Sequence, residues 1–119
     1  MFNFLRPGAT QPKMTAAEAV ARAKTGEITV LDVREAGEVV SSGRAEGALH
    51  IPLALVSLKA DPKAPDRVKG LDLTKPVAVY CASGMRSGAA VTALRKLGYE
   101  AHNIGSIRDW AAAGGAISR

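Results

Sequence analysis

Cysteine occurs once in the chain, at Cys81. A lone thiol excludes an internal disulfide and a multi-cysteine metal site. It also leaves no resolving thiol, so disulfide or persulfide chemistry at Cys81 must involve a second molecule. Aromatic residues make up 4% of the sequence, too few to interleave with basic side chains as stacking platforms for nucleic acid. No apolar run approaches the ~20 residues of a membrane span. The first residues, Met1 to Arg6, lack a basic leader and are too short for a secretory core. A cytoplasmic protein is therefore expected, with neither nucleic acid nor membrane as partner. Dinucleotide glycine fingerprints, phosphate-binding Walker loops, zinc spacings and internal repeats are absent too, so no metal or cofactor is expected.

What remains is an ordinary globular composition, 47% apolar and 23% charged over 119 residues, enough for one domain with a real core. The net charge of +5 suits a small anionic substrate, and the basic residues are scattered rather than run together. Residues 1–13, with Pro7, Gly8 and Pro12, read as a flexible arm, and 14–119 as the domain. Thr15 and Glu18 have the spacing of a capping box ahead of a helical stripe that Gly26 ends. Strands are expected at 28–33, 48–51, 77–80 and 101–104. Helices are expected at 35–42, 54–60, 107–113 and after residue 84, with Gly98 as the stop of the last-named. Residues 61–66 carry two prolines and read as a loop. Alternation of this kind argues for an α/β domain with a mainly parallel sheet.

The run from Val77 to Ser87 concentrates the chemistry. Four apolar, β-prone residues lead into Cys81, a small-residue loop follows, and a helix begins. The sulfur would sit at the carboxyl end of a strand, where open α/β sheets place their ligand sites. Ala82, Ser83 and Gly84 let the backbone curl so that successive N–H groups converge on one point, and Gly84 tolerates a positive φ. The helix start adds free N–H groups. Ser87 stands near it as an N-cap or an anion donor, and Arg86 brings forked positive donors. A free thiol, with pKa ~8.5, is only about 3% thiolate at pH 7. A drop of two units needs about 2.7 kcal/mol, and a helix dipole supplies typically ~0.3–1. The N–H groups and Arg86 would have to provide the rest.

The segment Cys81-Ala82-Ser83-Gly84-Met85-Arg86-Ser87 resembles the active-site loop of the rhodanese family of sulfurtransferases, with its Cys-x-x-Gly-x-Arg-Ser pattern. Leu31 to Glu35 resembles the family's Asp-x-Arg segment, and Gly43 to Pro52 its Gly-x-x-x-Gly-Ala-x-x-Ile-Pro segment, with Arg44 where a His is usual. Ser106 stands where a second Gly is common. The resemblance spans about Thr15 to Ala113. It implies a three-layer rhodanese-like fold with helices on both faces of the sheet. It also implies a Cys81 persulfide formed from a donor such as thiosulfate and passed to cyanide or a thiol. Residues 82–87 would bind the substrate, and Arg86 would hold the donor's oxyanion. Asp32 and Arg34, at the end of a strand close to where the sheet would bring Cys81, read either as a pair that orients the loop from behind or as a structural ion pair or strand cap.

Two other classes compete. A sulfur-relay module serving a protein partner fits a single cysteine equally well. A cysteine phosphatase or arsenate reductase uses a similar cradle, but those loops commonly place five residues between Cys and Arg, whereas four lie between Cys81 and Arg86. His50 and His102 read as structural and Trp110 as a core anchor. Without a histidine partner for Cys81, a papain-like mechanism is not expected.

Overall fold

The computed structural model describes residues 13–119. The arm expected at residues 1–13 therefore lies, apart from Lys13, outside the described residues. Helix α1 spans Ala16–Lys24, and its N-terminus is the capping box anticipated from sequence. Thr15 Oγ accepts from the Glu18 N–H, and the Glu18 carboxylate accepts from the Thr15 N–H. Strand β1 (Thr29–Asp32) follows, then α2 (Ala36–Ser42), which ends at Gly43 with φ +78°. The short strands β2 (Arg44–Ala45) and β3 (Leu49–His50) come next. A 3₁₀ turn at Leu53–Leu55 leads into α3 (Val56–Lys59), so the α-helical part is shorter than the expected 54–60. The chain closes with β4 (Val77–Cys81), α4 (Met85–Lys96), β5 (Ala101–Ser106), α5 (Ile107–Ala112) and β6 (Ile117–Ser118).

The main sheet has the order β3-β1-β4-β5 and is parallel throughout. Every residue of β4 is buried, as a near-continuous apolar strand in a parallel sheet should be. The two faces follow the period of two. Val77, Val79 and Cys81 pack with Val56 and Ala60 around α3 and with Ala90, Val91 and Leu94 of α4. Ala78 and Tyr80 pack against Ala19 and Val20 of α1 and Trp110 of α5. Each fully buried valine contributes about 1.5–3 kcal/mol, so β4 is the strand on which both cores depend. The thiol thus faces the α4 side.

Two features were not expected. Strands β2 and β6 form a second, antiparallel sheet joining Arg44–Ala45 to Ile117–Ser118. Each is only two residues long, too short to show a periodicity, and the pairing is long-range. Strand β5 also runs on to Ser106, two residues past the expected 101–104. The register shifts between Val79 and Tyr80: Val79 faces Asn103, Tyr80 faces Gly105, and Ile104 is the extra residue of a bulge. Gly105 carries it with φ +97°. Ser106 then caps α5, its hydroxyl accepting from the Asp109 N–H and donating to the Asp109 carboxylate. This is a use for serine at the position where the resemblance offers glycine.

Candidate active site

Strand β4 delivers Cys81 to the sheet's carboxyl edge, and Gly84 turns the chain into α4 from a left-handed conformation, φ +94°. An alanine Cβ at Gly84 would meet only ordinary contacts at 3.5 Å, so it is the dihedral that calls for glycine. The turn aims backbone hydrogens at the sulfur. Cys81 Sγ accepts from Gly84 N at 3.0 Å and from Ser87 N at 3.4 Å. Ser87 Oγ lies 3.4 Å from the sulfur as well.

Burial alone would push the Cys81 thiol up. The Ser87 hydroxyl, then the N–H groups of Ser87, Ser83 and Gly84, outweigh it and bring the pKa down to about 7. Roughly half the protein is then thiolate at neutral pH, against about 3% for a free cysteine. The N–H groups contribute as expected, but the largest favourable contribution is the serine hydroxyl and not Arg86. Ser87 is not the N-cap: Gly84 holds that position, and Ser87 sits buried in the first turn.

Arg86 is placed differently from expectation. Its guanidinium forks onto Glu38 of α2, Nη1 to Oε1 at 2.6 Å and Nη2 to Oε2 at 2.8 Å. The Arg86 contact holds the Glu38 carboxyl down at about 2, helped by the Glu35 N–H that it accepts. Arg86 is raised above its usual value, mainly by Glu38, and it also feels the charge on Cys81. Met85 is exposed on the rim, as are Ala82 and Ser83, while Cys81 itself has no exposed surface.

Asp32 and Arg34 form a buried ion pair, 0% and 2% exposed, on the other side of the sheet edge. The Asp32 carboxylate accepts from the Arg34 backbone N–H, from Arg34 Nε and Nη2, and from the Tyr80 hydroxyl at 2.5 Å. Arg34 goes on to donate to Ser42 Oγ and the Gly43 carbonyl, and Tyr80 OH accepts from Ala45 N. The Arg34 carbonyl is bonded to His50 Nε2. Of the two readings, these contacts fit the structural ion pair, not a pair that orients the cysteine loop. Neither residue bonds to residues 82–87; they fasten the chain at 42–45 to β1 and β4. Their one link to the loop is electrostatic, since the Arg34 charge favours ionised Glu38.

The residue that does fasten the loop was missed. Asn103, on β5, donates from Nδ2 to the Gly84 carbonyl at 2.9 Å. Its Oδ1 accepts from Gly105 N at 3.0 Å and from Ser87 Oγ at 2.8 Å. Those partners leave one orientation for the amide. The single hydroxyl hydrogen of Ser87 therefore has two main acceptors, Asn103 Oδ1 and Cys81 Sγ, and ionisation of the thiol draws it to the sulfur. The only sequence signal is a polar residue in an apolar strand ahead of a glycine, which carries no position until the bulge is known. Arg108 is exposed, His102 is bonded to Glu100, and Trp110 is buried with its indole N–H on the Ala116 carbonyl.

The rhodanese-like domain family matches residues 15–113, a stretch that includes the loop, the Asp32–Arg34 pair and the Asn103 tie. The chain belongs to that family. Among solved structures, a rhodanese-related protein from Thermoplasma volcanium is 32% identical with a TM-score of 0.72, covering 91% of this chain and 98% of its own. A Rhodopseudomonas palustris protein of unknown function, called a possible tyrosine phosphatase, is 27% identical with a TM-score of 0.78, covering 94% and 88%. The human single-domain sulfurtransferase TSTD1 shares the fold at 23% identity, TM-score 0.71, covering 87% and 97%. Among curated proteins none matches. In this rhodanese-like domain a parallel sheet with helices on both faces carries the cysteine loop. Among the described residues no helix is long and apolar enough to cross a membrane, and no cluster of His, Cys, Asp or Glu could hold a metal ion.

Proposed function

We propose that this protein is a sulfurtransferase that carries sulfane sulfur as a Cys81 persulfide. The observation behind the reading is the convergence of two N–H groups and one hydroxyl on a single sulfur. The Cys81 thiolate attacks the outer sulfur of a donor such as thiosulfate. A sulfur–sulfur bond forms to Cys81, the donor's own sulfur–sulfur bond breaks, and sulfite leaves with the electron pair. Cyanide or a thiolate then attacks the terminal sulfur of the persulfide, and Cys81 returns as thiolate. No cofactor takes part in either half-reaction. The amides of residues 83, 84 and 87 favour negative charge on the cysteine sulfur before attack and on the persulfide after it.

The phosphatase reading, which the Rhodopseudomonas palustris neighbour raises, fits the geometry less well. Such a loop must wrap the oxygens of a tetrahedral oxyanion, with the arginine facing them. Here the amides close on the sulfur itself, and the Arg86 fork is on Glu38. A sulfur-relay role for a protein donor shares the chemistry and differs only in what delivers the sulfur. Protein treated with thiosulfate or with a cysteine desulfurase and cysteine is to be weighed by mass spectrometry. A gain of one sulfur at Cys81, absent in Cys81→Ser, is expected. No gain from either source, together with hydrolysis of an aryl phosphate, would replace this reading with the phosphatase one.

A further inference from the structure

The cation that a sulfur anion would seek is already engaged. Both arms of the Arg86 fork are bonded to the two oxygens of one carboxylate, Glu38. Glu38 is held in place from its own helix, since Oε1 also accepts the Glu35 N–H at 2.9 Å. Arg34 and Glu35 are the further side-chain charges that this pair feels besides Cys81. Arg34 is matched to Asp32, and Glu35 adds a further negative charge that Arg86 feels. With Cys81 ionised, these groups together are net negative, although the whole chain is +5. At ordinary ionic strength, charges beyond about 8 Å are screened, so the local balance governs the final approach.

Resting on the sulfurtransferase reading, we propose that Glu38 sets the donor class. By occupying Arg86 it disfavours a dianionic donor and suits a sulfane donor with at most one negative charge, of the thiosulfonate or thiol-persulfide kind. Thiosulfate is then a usable but poor donor. Coulomb energy scales with the charge on the donor. Removing one negative charge at Glu38 therefore multiplies the approach of a monoanion by some factor, and that of a dianion by about its square.

The test is Glu38→Gln, which keeps an oxygen for the Glu35 N–H and for Arg86 but loses the charge. Two anionic donors differing in charge, thiosulfate and benzenethiosulfonate, are compared by kcat/KM with cyanide as acceptor. Benzenethiosulfonate delivers its outer sulfur to the Cys81 thiolate and leaves as benzenesulfinate, so the chemistry is matched. Relative to the native protein, E38Q is expected to gain roughly threefold with benzenethiosulfonate and roughly tenfold with thiosulfate, both gains shrinking in high salt. A second readout does not depend on sulfur transfer: the rate of Cys81 alkylation by anionic iodoacetate, divided by that by neutral iodoacetamide. Access to the buried Cys81 affects both reagents and cancels in the ratio. The ratio is expected to rise about threefold in E38Q. A ratio that stays level or falls, in a variant with native circular dichroism, overturns the role of Glu38 whatever the donor assays give. A ratio that rises while neither of these donors, nor a cysteine desulfurase with cysteine, adds sulfur to native protein overturns the sulfurtransferase reading, and the assigned donor class with it.

Discussion

Replacing Ser87 by alanine removes the group that contributes most to the acidity of Cys81 and leaves the amides in place. A hydrogen bond to a charged group is worth about 1.5–3 kcal/mol. Ser87 Oγ is 3.4 Å from the sulfur and only 2.8 Å from Asn103 Oδ1, so the low end applies. At 1.36 kcal/mol per unit, the thiol rises by about one unit. From about 7 it moves to roughly 8. At pH 7 the thiolate fraction falls from roughly half to roughly a tenth, and alkylation by iodoacetamide slows about fivefold. The direction is fixed by ionisation: the deficit is full below the native inflection and closes as pH rises past the variant's. Rates measured from about pH 5 to about pH 10 and read by mass spectrometry separate the possibilities. The reasoning is refuted if the inflection stays near 7. It is refuted also if the variant is slower by one constant factor at every pH, which would signal lost access rather than lost acidity.

Asp32→Asn leaves Arg34 buried without its counter-charge and is expected to cost about 3–5 kcal/mol in denaturant unfolding; a loss under about 1 kcal/mol would show the pair is not needed. Asn103→Ala unties Gly84 from β5. It is expected to speed hydrogen exchange at the amides of residues 84 and 87 by about tenfold while shifting the melting temperature little, because Asn103 is surface-exposed; unchanged exchange there would remove its positioning role. Glu38 is held at about 2 against an ordinary 4.5, so its contribution to stability is full above 4.5 and lost as pH falls toward 2. Its carboxyl carbon should titrate near 2 by NMR, and a midpoint at the ordinary value would mean that Arg86 is free in solution.

Local signals were legible wherever a structural device occupies neighbouring residues. Thr15 and Glu18 cap α1 as their spacing implies, Gly43 and Gly98 both take positive φ where helices stop, and Val77–Tyr80 is the buried centre of the sheet. The positive φ of Gly84 and the small residues around it announced a loop that curls about the sulfur. The partners of that loop's polar groups were not legible. Glu38 lies 48 residues from Arg86 and Asn103 lies 16 from Ser87. Nothing in the spacing of the sequence joins them.

From sequence alone came the cysteine at the strand's end, the turn that faces amides toward it, and the alternation that builds a parallel α/β sheet, because each depends on contacts within a few residues. Tertiary structure decided which charges meet. It set Arg86 on Glu38, closed Asp32 and Arg34 into a pair under Tyr80, and used a bulge in β5 to bring Asn103 against the cysteine loop. Fork-shaped and amide side chains bond to whatever group the packed elements bring within about 3 Å, and that is settled only when the layers have come together.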